Sequence, residues 1–196
     1  MKKTIAVSAL VLALAAAPAG AQLQINGYLS FEYRKGEALS DVPQGEFGGA
    51  RGGLFFTGLL EKAFDYRLEV RLDGPDRIGM EEAWVGYLPS EAFHLKLGMY
   101  LVPFGVYNTA GRPYETPLVG RPLLQEALYP ESWRDLGALV EGKTGLFQYA
   151  VYLGNGLSEA EDLAAGQQFR DNNRSKAVGG RLSLNLSRGF EAGGSY

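Results

Sequence analysis

The sequence of 196 residues has no cysteine and one histidine, His94. The first absence removes disulfide scaffolds, cysteine-built zinc sites and thiol catalysis, and the second leaves little for histidine-based triads or metal clusters. A basic excess is missing too. Lys plus Arg number 19 against 22 Asp plus Glu, with a pI near 5.3, whereas a nucleic-acid binder carries a basic stripe. Beyond residue 21 no apolar run reaches the roughly 20 residues that a membrane-spanning helix needs. There is also no Gly-x-Ser-x-Gly elbow, phosphate-cradling glycine loop or His-Glu-x-x-His motif. No enzymatic role and no cofactor or metal are therefore expected, and His94 reads as a polar wall residue. What is abundant is glycine (27), tyrosine (11) and phenylalanine (10), in a chain that is 46% hydrophobic. That is too apolar for disorder and rich in the residues of strands and turns.

Residues 1–21 stand apart. Lys2 and Lys3 precede an almost unbroken apolar run from Ile5 to Ala17, and Ala19-Gly20-Ala21 follows Pro18 as a small-x-small cleavage site. This is the pattern of a secretory signal peptide, with cleavage expected before Gln22. The run is too short for a spanning anchor.

From Gln24 onward, apolar and polar residues alternate with period two, which places one class on each face of a strand. Tyr66, Leu68, Val70 and Leu72 oppose Arg67, Glu69, Arg71 and Asp73; Phe93, Leu95, Leu97, Met99 and Leu101 oppose His94, Lys96, Gly98 and Tyr100. Ile25, Leu29, Phe31 and Tyr33 oppose Asn26, Ser30, Glu32 and Arg34, and Leu182, Leu184 and Leu186 oppose Arg181, Ser183 and Asn185. Such segments have the length of a tilted transmembrane strand, about 9–11 residues. Three others are less regular: 53–61 is apolar on both faces, 78–88 allows two registers, and 136–143 puts Leu139 among the polar positions.

The connections take turns along the chain. Tight ones are expected near Lys62-Ala63, Pro89-Ser90-Glu91, Thr144-Gly145 and Arg188-Gly189. Between them come 35–52, 102–135 and 155–175, with a short Gly74-Pro75-Asp76 among them. Sorting loops by length to opposite ends is the asymmetry of an outer-membrane barrel, with tight turns periplasmic and long loops outside. Tyr66, Tyr87, Phe93, Phe147 and Phe190 fall beside the tight turns, where an aromatic girdle belongs. A Lys or Arg facing lipid costs roughly 2–4 kcal/mol at the midplane, so Arg67 and Arg71 must face water. Eight complete strands and the start of a ninth are expected. A polar interior suits a barrel of about 16 strands better than one of eight, so 22–196 reads as the N-terminal portion of a larger all-β transmembrane antiparallel barrel.

Several segments in order resemble the phosphate-selective porin O/P family of outer-membrane porins: Glu82-Ala83-Trp84-Val85-Gly86-Tyr87, Leu95-x-Leu97-Gly98, Pro103-Phe104-Gly105, Arg134-Asp135-Leu136-Gly137-Ala138, Tyr149-x-Val151-Tyr152-x-Gly154-Asn155-Gly156, and Asp171-Asn172-Asn173 leading into Gly180-Arg181-Leu182. The resemblance implies a 16-stranded, usually trimeric barrel in the bacterial outer membrane, with lipid around it. It would pass small hydrophilic solutes or ions passively, anions such as phosphate among them. Members often carry Gln and Lys before the Pro-Phe where this chain has Met99 and Leu101, so anion selectivity does not transfer.

The resemblance further implies that the third outward loop, 102–135, folds inward and narrows the pore. Its candidate constriction residues are Arg112, Glu115, Arg121, Glu126 and Arg134, since rings of charged side chains set selectivity at a narrow point. Candidate pore-lining residues on the wall are Arg34, Arg67, Glu69, Arg71, Lys96 and Arg181. The wall charges nearly balance, which leaves cation against anion preference open. The competing reading is a small, closed eight-stranded structural or adhesive outer-membrane barrel without a large channel.

Overall fold

Alternation of the kind seen around Arg67 satisfies the backbone only if each strand finds a neighbour on both sides, and the chain does this in the simplest order. The protein, seen in a computed structural model, is described for residues 22–61, 63–74, 76–116, 122, 130–160, 163–170, 175–187 and 189–196. The expected signal peptide lies outside these. Nine antiparallel strands form one meander sheet in sequence order: β1 (Gln22–Arg34), β2 (Glu46–Glu61), β3 (Phe64–Asp73), β4 (Arg77–Ser90), β5 (Phe93–Leu101), β6 (Arg134–Thr144), β7 (Phe147–Gly154), β8 (Ala177–Ser187) and β9 (Phe190–Ser195). A single helical turn, α1 (Tyr107–Ala110), follows β5. No helix among the described residues is long and apolar enough to cross a membrane.

The connections sort by end as expected. The short connections β2–β3, β4–β5, β6–β7 and β8–β9 fall at one end of the sheet, and the connections β1–β2, β3–β4, β5–β6 and β7–β8 at the other. The first loop is shorter than the expected 35–52, because β2 starts at Glu46 and pairs Glu46 with Arg34. Glycine is well placed here: Gly145 and Gly189 adopt positive φ in their turns, which side chains with a Cβ resist.

Residues directly opposite on adjacent antiparallel strands share a face, so the register fixes both surfaces. One continuous row is Tyr66, Val85, Leu97, Ala138, Leu153 and Val178, across β3 to β8. On the reverse face lies the row Arg67, Trp84, Gly98, Gly137, Gly154 and Ala177. The two possible registers of 78–88 are both used. Glu69 pairs with Glu82 but Val70 pairs with Met80, so Glu81 is an extra residue in β4. This bulge keeps Ile78 and Met80 on the apolar face before it and Ala83, Val85 and Tyr87 there after it.

The sheet curls around its charged face. Ser195, Arg181, Ala150, Glu141 and His94 are aligned in register across β9 to β5, and Leu101 lies seven residues beyond His94. On a flat sheet Leu101 and Ser195 would be roughly 30 Å apart. Yet the Gly105 N–H donates to Ser195 Oγ at 3.0 Å, and the four residues after Leu101 reach at most roughly 14 Å. Part of the bending falls at the glycine row. Gly98 has φ +133°, and a Cβ there would collide with the Ala83 carbonyl; one on Gly137 would collide with that of Leu153. The curled sheet remains open, β1 and β9 each pairing on one side.

Burial is inverted relative to an ordinary core. Glu69 and Asp135 are each 1% exposed, whereas Leu29 is 84%, Ile78 76% and Val178 64% exposed. A small cluster of Tyr100, Val102, Leu139 and Tyr152, with Trp84, Phe104 and Trp133 against it, is buried on the charged face. It accounts for Leu139 among the polar positions: that residue pairs with Lys96 and Tyr152 and packs under the long loop.

Candidate functional site

Glu69 on β3 and Glu82 on β4 are directly opposed, and like charges in that position repel. Two guanidinium groups offset this. Arg67, two residues before Glu69 on the same face, binds Glu69 at 2.5 Å and Glu82 at 2.9 Å. Arg112 arrives from the long loop. It donates to Glu69 Oε1 at 3.3 Å and to Glu82, while its Nη1 donates to the Thr109 carbonyl at 3.0 Å. Burial alone lowers the pKa of the Arg112 guanidinium, but the adjacent Glu82 and Glu69 outweigh it and hold the group above the ordinary arginine value. Two cations and two carboxylates thus alternate, each charge beside its opposites.

A second set continues toward the rim. Arg71 pairs with Asp73, lies 3.5 Å from Glu81 and 3.6 Å from Glu131, and donates to Ser132 Oγ at 2.7 Å. Ser132 has positive φ, +52°, so the end of the loop turns sharply where it meets the wall. Arg134 joins through Glu81 at 3.5 Å and places its guanidinium 5.6 Å from the Phe169 ring. Toward the tight-turn end, His94 lies 3.0 Å from Asp65 and 3.6 Å from Glu141, and Lys96 is 2.6 Å from Glu141 and 4.6 Å over the Trp84 ring.

Of the residues singled out in the sequence, Arg67, Glu69 and Arg112 therefore meet in one network, Arg71 and Arg134 in a second that borders the same cavity, and Lys96 in a third. Glu115 is 3.6 Å from Arg112. Arg34 pairs with Glu32, and Arg181 with Glu191, away from the rest. Arg121 and Glu126 lie outside the described residues. The Tyr87 and Phe64 rings pack tilted, their centroids 5.1 Å apart, near the short-turn end, and at the same end the Tyr149 hydroxyl donates to the carbonyl of Ala92 in the β4–β5 turn at 2.8 Å. Tyr66 is 8% exposed, its ring against Gly58.

Two positioning residues were not anticipated. Asn108 in α1 is buried, donates to the carbonyls of Val102 and Trp133 and accepts from the Trp133 N–H. It fastens the loop where it leaves β5 and where it enters β6. Asn-Thr at 108–109 reads as ordinary loop polarity, and no periodicity flags it. Glu81 was hidden because only the bulge turns it into the network. Asp135 stands in the sequence only within the Arg134-to-Ala138 segment; its carboxylate accepts from the N–H groups of Leu136, Asn155 and Gly156, so it anchors the connection after β7.

Two cavities flank Arg112. One of about 450 Å³ is lined by Tyr28, Glu69, Arg71, Glu81 and Ser132, and one of about 280 Å³ by Arg67, Glu82, Trp84, Lys96 and Glu141. Arg112 and Leu101 line both.

No family model matches the chain. It is similar to an uncharacterized protein of Aquifex aeolicus (strain VF5), 32% identical over 127 residues, an alignment covering 60% of this chain and 29% of that relative. The chain thus spans well under half the length of the relative it matches.

Proposed function

We propose that the protein is an outer-membrane porin, in which this sheet forms part of the wall of a water-filled channel for small hydrophilic solutes or ions. The observation that carries the reading is the inverted burial: leucines, valines and isoleucines exposed along one face, and carboxylates buried along the other with guanidiniums paired to them. In water such an apolar face is far larger than the few hundred Å² that a monomer ordinarily exposes. Against hydrocarbon it is the stable arrangement, since spanning strands need apolar residues outward and every backbone group paired.

Three features support the same reading: tight turns at one end and long loops at the other, the curl of the sheet, and the loop laid across its charged face. The resemblance to the phosphate-selective porin O/P family agrees with these. In this proposal further strands join the edges of β1 and β9 to close a barrel of about 16, and the closed barrels assemble as trimers. The loop residues around Arg112 then form the constriction.

Conductance in planar bilayers tests the proposal. Step-like openings in groups of three are the expected result. Folded protein that inserts without conducting would overturn it in favour of a small structural barrel.

A further inference from the structure

The Glu69–Glu82 pair is built like a receptor. The two carboxylates face each other across adjacent strands, and β4 and β3 hold them in place whatever the loop does. Arg67 compensates one of the two charges from within the wall. The remaining charge is met by Arg112, the one member of the foursome carried on a loop, and its guanidinium reaches both carboxylates at once. That is a forked donor against paired acceptors, the geometry that distinguishes guanidinium from a point-charge cation.

Position adds to chemistry. Arg112 and Leu101 are the two residues common to the cavities on either side, so the Arg112 side chain stands where a solute moving along the charged face would pass. Such a solute must displace Arg112, and the carboxylates left behind then require a cation in its place, because an uncompensated charge at Glu69, 1% exposed, is costly.

We propose that Glu69 and Glu82 form a binding site for guanidinium-bearing solutes, and that Arg112 is its tethered occupant, which such a solute displaces. The site itself rests on the geometry alone, while its use in transport rests on the porin reading. The solute class is small cations that end in a guanidinium group, and the nearby Trp84 and Lys96 line the cavity into which the rest of such a molecule would extend.

Calorimetric titration of the folded full-length protein in detergent with methylguanidinium chloride, against sodium chloride at matched ionic strength, tests this. A tethered competitor weakens binding, so Arg112→Ala is expected to bind methylguanidinium at least tenfold more tightly than the unaltered protein. Adding Glu69→Gln to that variant is expected to reverse the gain. Arg112→Gln serves in the same way if the alanine variant does not fold. Equal affinity in the unaltered and Arg112 variants, or binding indifferent to Glu69, would overturn the proposal. Absence of channel conductance bears on the porin reading alone, since the titration needs no membrane.

Discussion

Asn108 and Trp133, 25 residues apart, exchange a reciprocal pair of hydrogen bonds: the Trp133 N–H donates to Asn108 Oδ1 at 2.9 Å, and Asn108 Nδ2 donates to the Trp133 carbonyl at 2.8 Å. A side-chain amide thereby imitates a strand residue in a narrow antiparallel pair. Its third bond, to the Val102 carbonyl at 2.7 Å, ties the other end of the same loop. Asn108→Ala would orphan these buried groups at about 1–3 kcal/mol each. The expected outcome is a lower thermal midpoint of the detergent-folded protein and faster proteolysis within the loop. An unchanged midpoint would mean that water replaces the amide fully.

The apolar face offers a discriminating substitution. Leu97 is 54% exposed in the middle of the row that runs from Tyr66 to Val178. If that face meets lipid, Leu97→Arg costs roughly 2–4 kcal/mol and folding yield into vesicles drops sharply. A surface exposed to water would tolerate the change within about 0.5 kcal/mol. Folding yield read from heat-dependent gel mobility separates the two.

Within the network the carboxylates differ in burial. Glu69 is 1% exposed and shared by two arginines, whereas the Glu115 side chain is 35% exposed and 3.6 Å from one. Glu69→Ala leaves a buried guanidinium unmatched and is expected to cost about 3–5 kcal/mol. Glu115→Ala is expected to cost at most about 1 kcal/mol. Denaturant titrations of the two variants side by side provide the check, and equal losses would contradict it.

Much of this was readable in the sequence because strand alternation is a local property. Arg67, Glu69 and Arg71 declare their common face through residues two apart, and the meander follows from the spacing of turns. The site was less legible. That Arg112 meets Glu69 and Glu82 depends on how far the sheet curls and where the loop descends, which no local pattern encodes. Glu81 was obscured for a related reason: an inserted residue erases the periodicity by which facing is read. Asn108 left no trace, since a polar residue in a loop looks the same whether it is solvated or clamps two strands.

Gly98 allows a test of the bend. With φ at +133° and the Ala83 carbonyl where a Cβ would sit, Gly98→Ala combines a disfavoured backbone with a backbone collision. It should lower stability by more than the roughly 0.4–1 kcal/mol that Gly-to-Ala changes add at relaxed sites. A stabilised variant would show that the strand relaxes there at no cost.

The charge of Arg112 sets a pH expectation. With its pKa raised by Glu82 and Glu69 against the opposing effect of burial, its contribution is fully present below the ordinary arginine value. It is lost only above that. Loop closure should therefore not change through deprotonation of Arg112 between pH 7 and pH 10. Conductance of the unaltered protein and of Arg112→Lys across that window is the measurement; a change specific to the lysine variant near its upper end fits, and an equal change in both does not.

Strand β4 behaves like a sentence with one silent letter. Its two halves keep a common outer side because Glu81 is present but not counted in the pairing with β3. Deleting that one residue would leave Met80 opposite Val70 and Glu82 opposite Glu69, so Ile78 and Met80 would stay on the outer side with Ala83, Val85 and Tyr87. What the deletion removes is the carboxylate that Arg71 and Arg134 share. In this strand, then, the extra residue is spare for the surfaces and spent on the charges: a sequence that looks more regular would keep its faces and lose a counter-ion for two guanidiniums.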